Sequence, residues 1–223
     1  MSIKLFIGAI LKFTLGVLLV GALIFVPAGT LAFSYGWLLM GVLFVPMFLA
    51  GLVMMAKNPE LLKKRLNAKE KLGEQQTVVK LSGLMFILGF VLAGLDFRFG
   101  WLRLPSWVPI VGAVLFLLAY VIYAEVLREN TYLSRTIEVQ EGQKVVSDGL
   151  YGIVRHPMYS ATLLLFLSMP IVLGSLIALI PFFMYPFIIA KRIKNEEQLL
   201  SRELEGYTEY TNKVKYRLIP FIW

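Results

Sequence analysis

Residues 158–190 read MYSATLLLFLSMPIVLGSLIALIPFFMYPFIIA, 33 residues without a charge. As one helix rising 1.5 Å per residue, the run is about 50 Å long, well beyond a hydrocarbon core of about 30 Å. Gly174 and Ser175 stand at its middle, with Pro170, Pro181 and Pro186 around them. Glycine permits turns, and proline interrupts helical hydrogen bonding. The run is therefore expected to fold as a hairpin of two short membrane helices. One tilted, kinked helix is the alternative. A hairpin returns the chain to the face it left, so the polar segments flanking the run meet.

Four more apolar runs precede it: residues 13–33, 37–56, 81–95 (ending at Asp96) and 104–124 (opened by Pro105, closed by Glu125). A span takes roughly 20 such residues. Of the 223 residues, 58% are hydrophobic and only 16% charged, and mean hydropathy is +0.75. Soluble domains carry about 25% charged residues. A soluble fold, a disordered chain, a collagen-like repeat and a soluble nucleic-acid-binding domain are set aside on this ground. With no cysteine and His156 as the only histidine, disulfides, thiolate zinc, Fe–S clusters, a cysteine nucleophile and a multi-histidine metal site are excluded.

The net charge of +8 follows from basic loops. Residues 57–80 hold Lys57, Lys63, Lys64, Arg65, Lys69, Lys71 and Lys80, and seven more cations follow from Lys191 onward. Between the third and fourth runs stand only Arg98 and Arg103. With the hairpin, 20 of the 22 basic residues share one face. The positive-inside rule makes that face cytoplasmic, with both termini there, and leaves Tyr35, Trp37, Trp101 and Trp107 as an aromatic belt opposite. The first apolar stretch is too long for the h-region of a signal peptide. The expected architecture is an all-α integral membrane protein with five or six crossings. Residues 1–127 form a transmembrane bundle, and residues 128–223 a C-terminal region of cytoplasmic loop, helical hairpin and final helix. Its compactness points to a prokaryotic cytoplasmic membrane.

Chemistry concentrates in the polar segments. Residues 57–80 read as a basic amphipathic stretch with Leu61, Leu62, Leu66 and Leu72 among lysines, touching lipid head groups. In residues 128–157, the alternation Thr136-Ile137-Glu138-Val139 and Lys144-Val145-Val146 around Glu141-Gly142 predicts a small β-hairpin. Arg155-His156-Pro157 then opens the membrane hairpin, with proline suited to a first helical turn. Arg155 and His156 at a helix N-terminus make a seat for a carboxylate or phosphate. The plainer reading is an arginine snorkelling to lipid phosphate and a histidine capping a turn. Beyond the hairpin, Ile193, Leu200 and Leu204 form an apolar stripe with Glu196 and Glu197 at its edges. Arg192 and Glu196 are four apart, the spacing of a surface ion pair. No Gly-x-Gly-x-x-Gly, P-loop or Gly-x-Ser-x-Gly elbow occurs, and no string of charges within the spans marks an ion pathway.

The run Gly149-Leu150-Tyr151-Gly152-Ile153-Val154-Arg155-His156-Pro157-Met158-Tyr159 resembles the G-x-Y-x-x-x-R-H-P-x-Y signature of isoprenylcysteine carboxyl methyltransferases, which related phospholipid methyltransferases share. Arg192, Glu196, Glu197 and Leu200 are similar to that family's second motif. Gly206-Tyr207-Thr208-Glu209-Tyr210 and Arg217–Pro220 are similar to its tail, and Asn130 stands where members often carry asparagine. The resemblance covers about residues 125–220. It implies a membrane methyltransferase using S-adenosylmethionine, with no metal. By carry-over it implies cofactor contacts from Tyr151, Arg155, His156, Pro157, Tyr159, Glu196, Glu197, Tyr207 and Tyr210, and catalytic roles for Arg192, Glu197 and Arg217. The expected partners are a lipophilic small-molecule or lipidated substrate as acceptor and membrane lipids; no nucleic acid is expected as a partner. Two rivals remain: a membrane reductase of the steroid-reductase type using a nicotinamide cofactor, and a non-enzymatic membrane scaffold or transporter.

Overall fold

The structure, a computed structural model, describes residues 3–66, 73–133 and 137–223. Its helices are α1 (Ile3–Ala28), α2 (Ser34–Lys57), α3 (Pro59–Leu66), α4 (Gly73–Phe99), α5 (Trp107–Glu129), α6 (Pro157–Val172), α7 (Leu179–Phe182), α8 (Tyr185–Glu203) and α9 (Tyr207–Lys213), with a 3-10 turn at Gly149–Gly152. Four stretches have the length and apolar character of membrane spans: Leu5–Ala28, Ser34–Lys57, Gln76–Phe99 and Trp107–Glu129. The protein is an all-α integral membrane protein.

The spans differ from the sequence reading at their ends. Helix α1 begins about three turns before residue 13 and stops at Ala28 rather than 33. Lys12 is absorbed into it because its long side chain reaches the Leu66 carbonyl, 2.8 Å away, keeping the charge at a polar end. Helix α4 runs through Asp96 to Phe99, since the Asp96 carboxylate is turned back to accept the Leu102 N–H at 3.0 Å. In the basic stretch, α3 buries Leu61 and Leu62 as an amphipathic helix should. Leu72, Lys69 and Lys71 lie outside the described residues.

The charge-free run is a hairpin. Helix α6, about 24 Å long by its 16 residues, ends two residues before Gly174, whose φ of 69° suits a residue without Cβ. The returning arm is α7 followed by α8. Thr162 Oγ1 and Tyr185 Oη lie 2.8 Å apart across the arms, and Arg192 Nε donates to Tyr159 Oη at 3.0 Å. The two ends of the run therefore meet, where a single helix would part them by about 50 Å.

The turn of this hairpin reaches the level of the other short connections. A Cβ on Gly174 would sit 3.1 Å from the Tyr35 ring and 3.4 Å from Pro109, at the starts of α2 and α5. Phe33 stacks on Phe97 with centroids 4.2 Å apart, which joins the α1–α2 turn to the end of α4. The three turns thus share one face, and the polar segments share the other. One core joins α1, α2, α4, α5, α6, α7 and α8, with Ile24, Leu39, Phe116, Val172, Phe182 and Ile193 fully buried. Leu11, Leu15, Leu18 and Leu19 of α1 stay exposed, as suits lipid.

Helices α5 and α6 lie backbone to backbone at Gly112. A Cβ there would lie 2.7 Å from the Val172 backbone nitrogen, and backbone cannot yield as a flexible side chain can. The expected β-hairpin is not built: no strand occurs among the described residues, and Thr136 lies outside them. The turn at Glu141-Gly142 does form, closed by Gln143 N–H to the Gln140 carbonyl at 3.0 Å. Side chains replace the ladder. Gln143 Oε1 takes the Gln140 N–H at 2.9 Å, while Val139 and Val145 pack on Leu204, Tyr207 and Tyr210.

Two measurements follow from this packing. In the cysteine-free chain, Leu176→Cys should label from the same membrane side as Arg103→Cys, and Ser147→Cys and Lys213→Cys from the opposite side. Labelling of Leu176→Cys with Lys213→Cys would refute the full crossing of the hairpin. Gly112→Ala should cost about 1–3 kcal/mol, the usual penalty of overpacking, whereas Gly41→Ala, with no atom within 4 Å, should leave thermal stability unchanged.

Candidate functional site

The polar face is assembled on α6. Upstream, Tyr151 is buried in the 3-10 turn; its hydroxyl accepts from Asn130 Nδ2 at 2.9 Å, and its carbonyl accepts from Tyr210 Oη at 2.7 Å. The chain then extends through Arg155 and His156, whose N–H groups donate to the Tyr216 and Arg217 carbonyls, both at 2.9 Å. Pro157 opens α6 as its first residue, fully buried. Ser160 Oγ donates to the Leu218 carbonyl at 2.6 Å. The C-terminal tail is thereby strapped along the Arg-His-Pro segment.

Helix α8 presents its two adjacent glutamates to different surroundings. Glu197 is a junction: Arg155 Nε donates to Oε1 at 2.7 Å, Arg217 Nε to Oε2 at 2.7 Å, and His156 Nε2 lies 3.2 Å from Oε1. Arg155 also donates to the Val214 carbonyl at 2.9 Å. The carboxylate attracted by Arg155 and His156 is thus the chain's own. Burial pushes the Glu197 carboxyl up. Hydrogen bonds from His156 and Arg217, the charge of His156 and the Arg155 bond more than offset this, holding it at about 2 against an ordinary 4.5.

Glu196 instead accepts a short hydrogen bond from the Tyr159 hydroxyl. That hydroxyl also accepts from Arg192, so it stands between the two residues expected to pair directly. Glu196, Tyr159, Arg192, Arg155 and His156 line an open cleft with Tyr151, Tyr207 and Tyr210. Its empty space is about 830 Å³, including the part open to solvent. Tyr207 is 4% exposed, and its hydroxyl has no hydrogen-bond partner, although such a group normally finds one. Burial, then the charges of Glu197 and Glu196, push the Tyr207 hydroxyl far up. Burial raises Tyr210 to about 12, against the lowering charge of Arg155. Both hydroxyls stay protonated donors at neutral pH.

The fold therefore brings together every residue singled out by the sequence, in two layers. Tyr151, Arg155, His156, Tyr159, Arg192, Glu196, Tyr207 and Tyr210 line the cleft. Glu197 and Arg217 tie its back, and Pro157 fixes the start of α6. Residues not foreseen as lining include Tyr132, Leu133 and Met158, Leu204 of the α8 stripe, and the loop residues Ile137, Glu138, Gln143, Lys144, Val145 and Val146. The alternation of residues 137–146 marked that loop, but without its closure over α9 it gave no reason to place it on the cleft. Trp223, stacked 5.4 Å from the Arg217 guanidinium, had no sequence signal beyond being aromatic. No cluster of metal ligands occurs among the described residues.

Fold and site together define an integral membrane protein with a polar cleft at one end of its spans, closed by the meeting ends of a charge-free hairpin. Residues 110–202 match the isoprenylcysteine carboxyl methyltransferase (ICMT) family, and this stretch contains the Arg-His-Pro and Glu-Glu motifs. A Delta(14)-sterol reductase of Mus musculus is 30% identical over 92 residues, which make up 40% of this chain and 22% of the reductase. The chain thus matches only about a fifth of that relative. A solved eukaryotic intramembrane Ras methyltransferase, isoprenylcysteine carboxyl methyltransferase, aligns with a TM-score of 0.49 at 18% identity, over 84% of this chain and 74% of that one.

The Glu197 junction has a definite pH signature. Because its folded pKa is depressed, its stabilisation is complete above pH 4.5 and is lost as pH falls towards about 2. Hydrogen-exchange protection of residues 214–218 should fade over that interval. In Glu197→Gln it should already be reduced at neutral pH, with a stability loss of about 3 kcal/mol, the lower end for breaking a buried pair, since Arg217 is one-third exposed. Equal protection of both proteins at pH 7 would show that Glu197 does not hold the tail.

Proposed function

We propose that this protein transfers a methyl group from S-adenosylmethionine to a lipophilic acceptor at the cytoplasmic face of the membrane. The observation that carries the reading is the partnerless, buried Tyr207 hydroxyl in the cleft that Glu196 also lines. The residues fit the cofactor: Glu196 offers negative charge for its amine or sulfonium, and Tyr207 and Tyr210 remain neutral and able to donate to its polar groups. When bound, the cofactor supplies an electrophilic methyl group. Among the described residues, the basic ones other than Arg98 and Arg103 belong to segments on the cleft's face, which supports a cytoplasmic opening.

The remaining work falls to positioning, which dominates in-line displacement reactions. Arg192 offers a cation to orient an acceptor carboxylate, and Tyr159 holds Arg192 and Glu196 in fixed relation. A carboxylate needs no base. An amine must first lose a proton. The favoured acceptor is therefore a carboxylate on a prenylated-cysteine-like or isoprenoid substrate, and a lipid head group is second. Glu197 and Arg217 act behind the cleft, and Arg155 reaches Glu197 from its lining, so the cofactor-facing charge is assigned to Glu196 and the supporting charge to Glu197.

A reductase reading is favoured by one observation, the 30% identity to the sterol reductase. Calorimetry on detergent-purified protein separates the two. S-adenosylhomocysteine should bind, and Glu196→Gln should weaken it roughly ten- to a hundredfold, the worth of one charge-assisted hydrogen bond at about 1.5–3 kcal/mol, with an unchanged melting temperature. Binding of reduced nicotinamide cofactor in its place would overturn methyl transfer. Undiminished affinity in Glu196→Gln for both S-adenosylhomocysteine and S-adenosylmethionine, which alone carries the sulfonium, would remove Glu196 from the cofactor.

A further inference from the structure

The polypeptide beyond Arg217 folds into a tight apolar tip whose outer side chains touch little protein. Phe221 is 88% exposed and Ile222 76%, with Ile219 beside them at 38%. This display is imposed by the backbone. The N–H groups of Arg217, Leu218 and Ile219 all converge on the Trp223 carbonyl, at 2.9, 2.9 and 3.1 Å. Ile222 and Trp223 N–H both return to the Ile219 carbonyl at 3.1 Å. To close this turn Phe221 adopts φ 66°, the only positive φ at a non-glycine among the described residues. A phenylalanine disfavours that conformation; here its ring touches only the edge of the fold, 5.3 Å from the Tyr216 ring, and stays largely exposed.

The height of the tip is fixed independently. The Leu218 carbonyl is bonded to Ser160, in the first turn of α6, the helix that enters the apolar layer. Leu218 itself is buried in the main core, and Trp223 packs against that core. The tip thus continues the lipid-facing surface of the hairpin at its polar end. Exposed Lys213 and Lys215 precede it, the arrangement of a segment with apolar side chains in the acyl boundary and cations among head groups.

From this geometry we infer that residues 219–222 are an interfacial anchor, with Phe221 and Ile222 inserted into the lipid of the leaflet on the cleft's face. Arg217, two residues before Ile219, binds Glu197 at the back of the cleft. Lipid that holds the tip therefore also holds one of the three groups that fix Glu197. The inference rests on the placement of the tail and is independent of the reaction catalysed.

The chain has no cysteine, so Phe221→Cys can carry a single bimane probe in the full-length protein, reconstituted in phosphatidylcholine–phosphatidylglycerol vesicles. Quenching by lipids spin-labelled near the head group should be several-fold stronger at this position than for a probe at Glu209→Cys on exposed α9, and aqueous iodide should show the reverse order. Where Phe221→Cys disturbs the turn, Ile222→Cys carries the same probe. Equal access of iodide to both positions would place the tip in water and overturn the anchor. Shielding from iodide without lipid quenching would show a protein surface covering it, and would overturn the anchor equally.

Discussion

A single carboxylate, Glu197, joins three parts of the chain that are far apart in sequence: the Arg155-His156 segment, helix α8 and the tail at Arg217. Removing these charges from water is costly, and their mutual attraction repays the cost only when geometry and hydrogen bonding are good. Two arginines arriving at opposite oxygens, each at 2.7 Å, meet that condition. The hairpin brings Glu197 to Arg155; the junction then holds the tail in place and gives the cleft its rear wall. The polar layer is thereby specified by charge pairing, while the membrane layer below it is specified by apolar burial and by close approaches such as that of α5 to α6.

Neighbouring positions on a helix point about 100° apart, and α8 uses that difference to divide labour. Glu197 faces cations and is held ionised. Glu196 faces the cleft through Tyr159, where a ligand can reach it. The same principle explains why Arg192 and Glu196, four apart and suited to an ordinary surface pair, are bridged by the Tyr159 hydroxyl: α6 packs against that stripe and inserts its own side chain.

The membrane architecture was legible in the sequence because apolar run length is a strong signal. The hairpin was legible because 33 uncharged residues exceed any single crossing and Gly174 marks the middle. The ends of the spans were less so. Lys12 and Asp96 look like terminators, yet the first reaches out to a carbonyl and the second folds back on Leu102. Which residues would gather was legible from Arg155, His156, Glu196 and Glu197. Which glutamate faces the cleft was not, since that depends on the rotation of α8, and no local pattern records it. The alternation around Glu141-Gly142 predicted strands; side-chain hydrogen bonds from Gln143 and packing on Tyr207 and Tyr210 took the place of a ladder.

Helix α8 runs without interruption from Tyr185, buried among apolar side chains, to Glu203 in the polar layer. No loop separates the part fixed by membrane packing from the part carrying the carboxylates, so the spacing between the two layers is a matter of helical register. One residue inserted between Ile189 and Ile193 would turn everything beyond it by about 100° and lift it by about 1.5 Å. Glu196 would then arrive between the arginines, and Asn195 would take the place facing the cleft. The junction would survive such a change with its charge intact, while the cleft would exchange a carboxylate for a neutral amide. Loop residues 137–146, outside any helix, carry no such phase. Length variation between related chains should therefore collect there and be absent from the stretch between Tyr185 and Glu197.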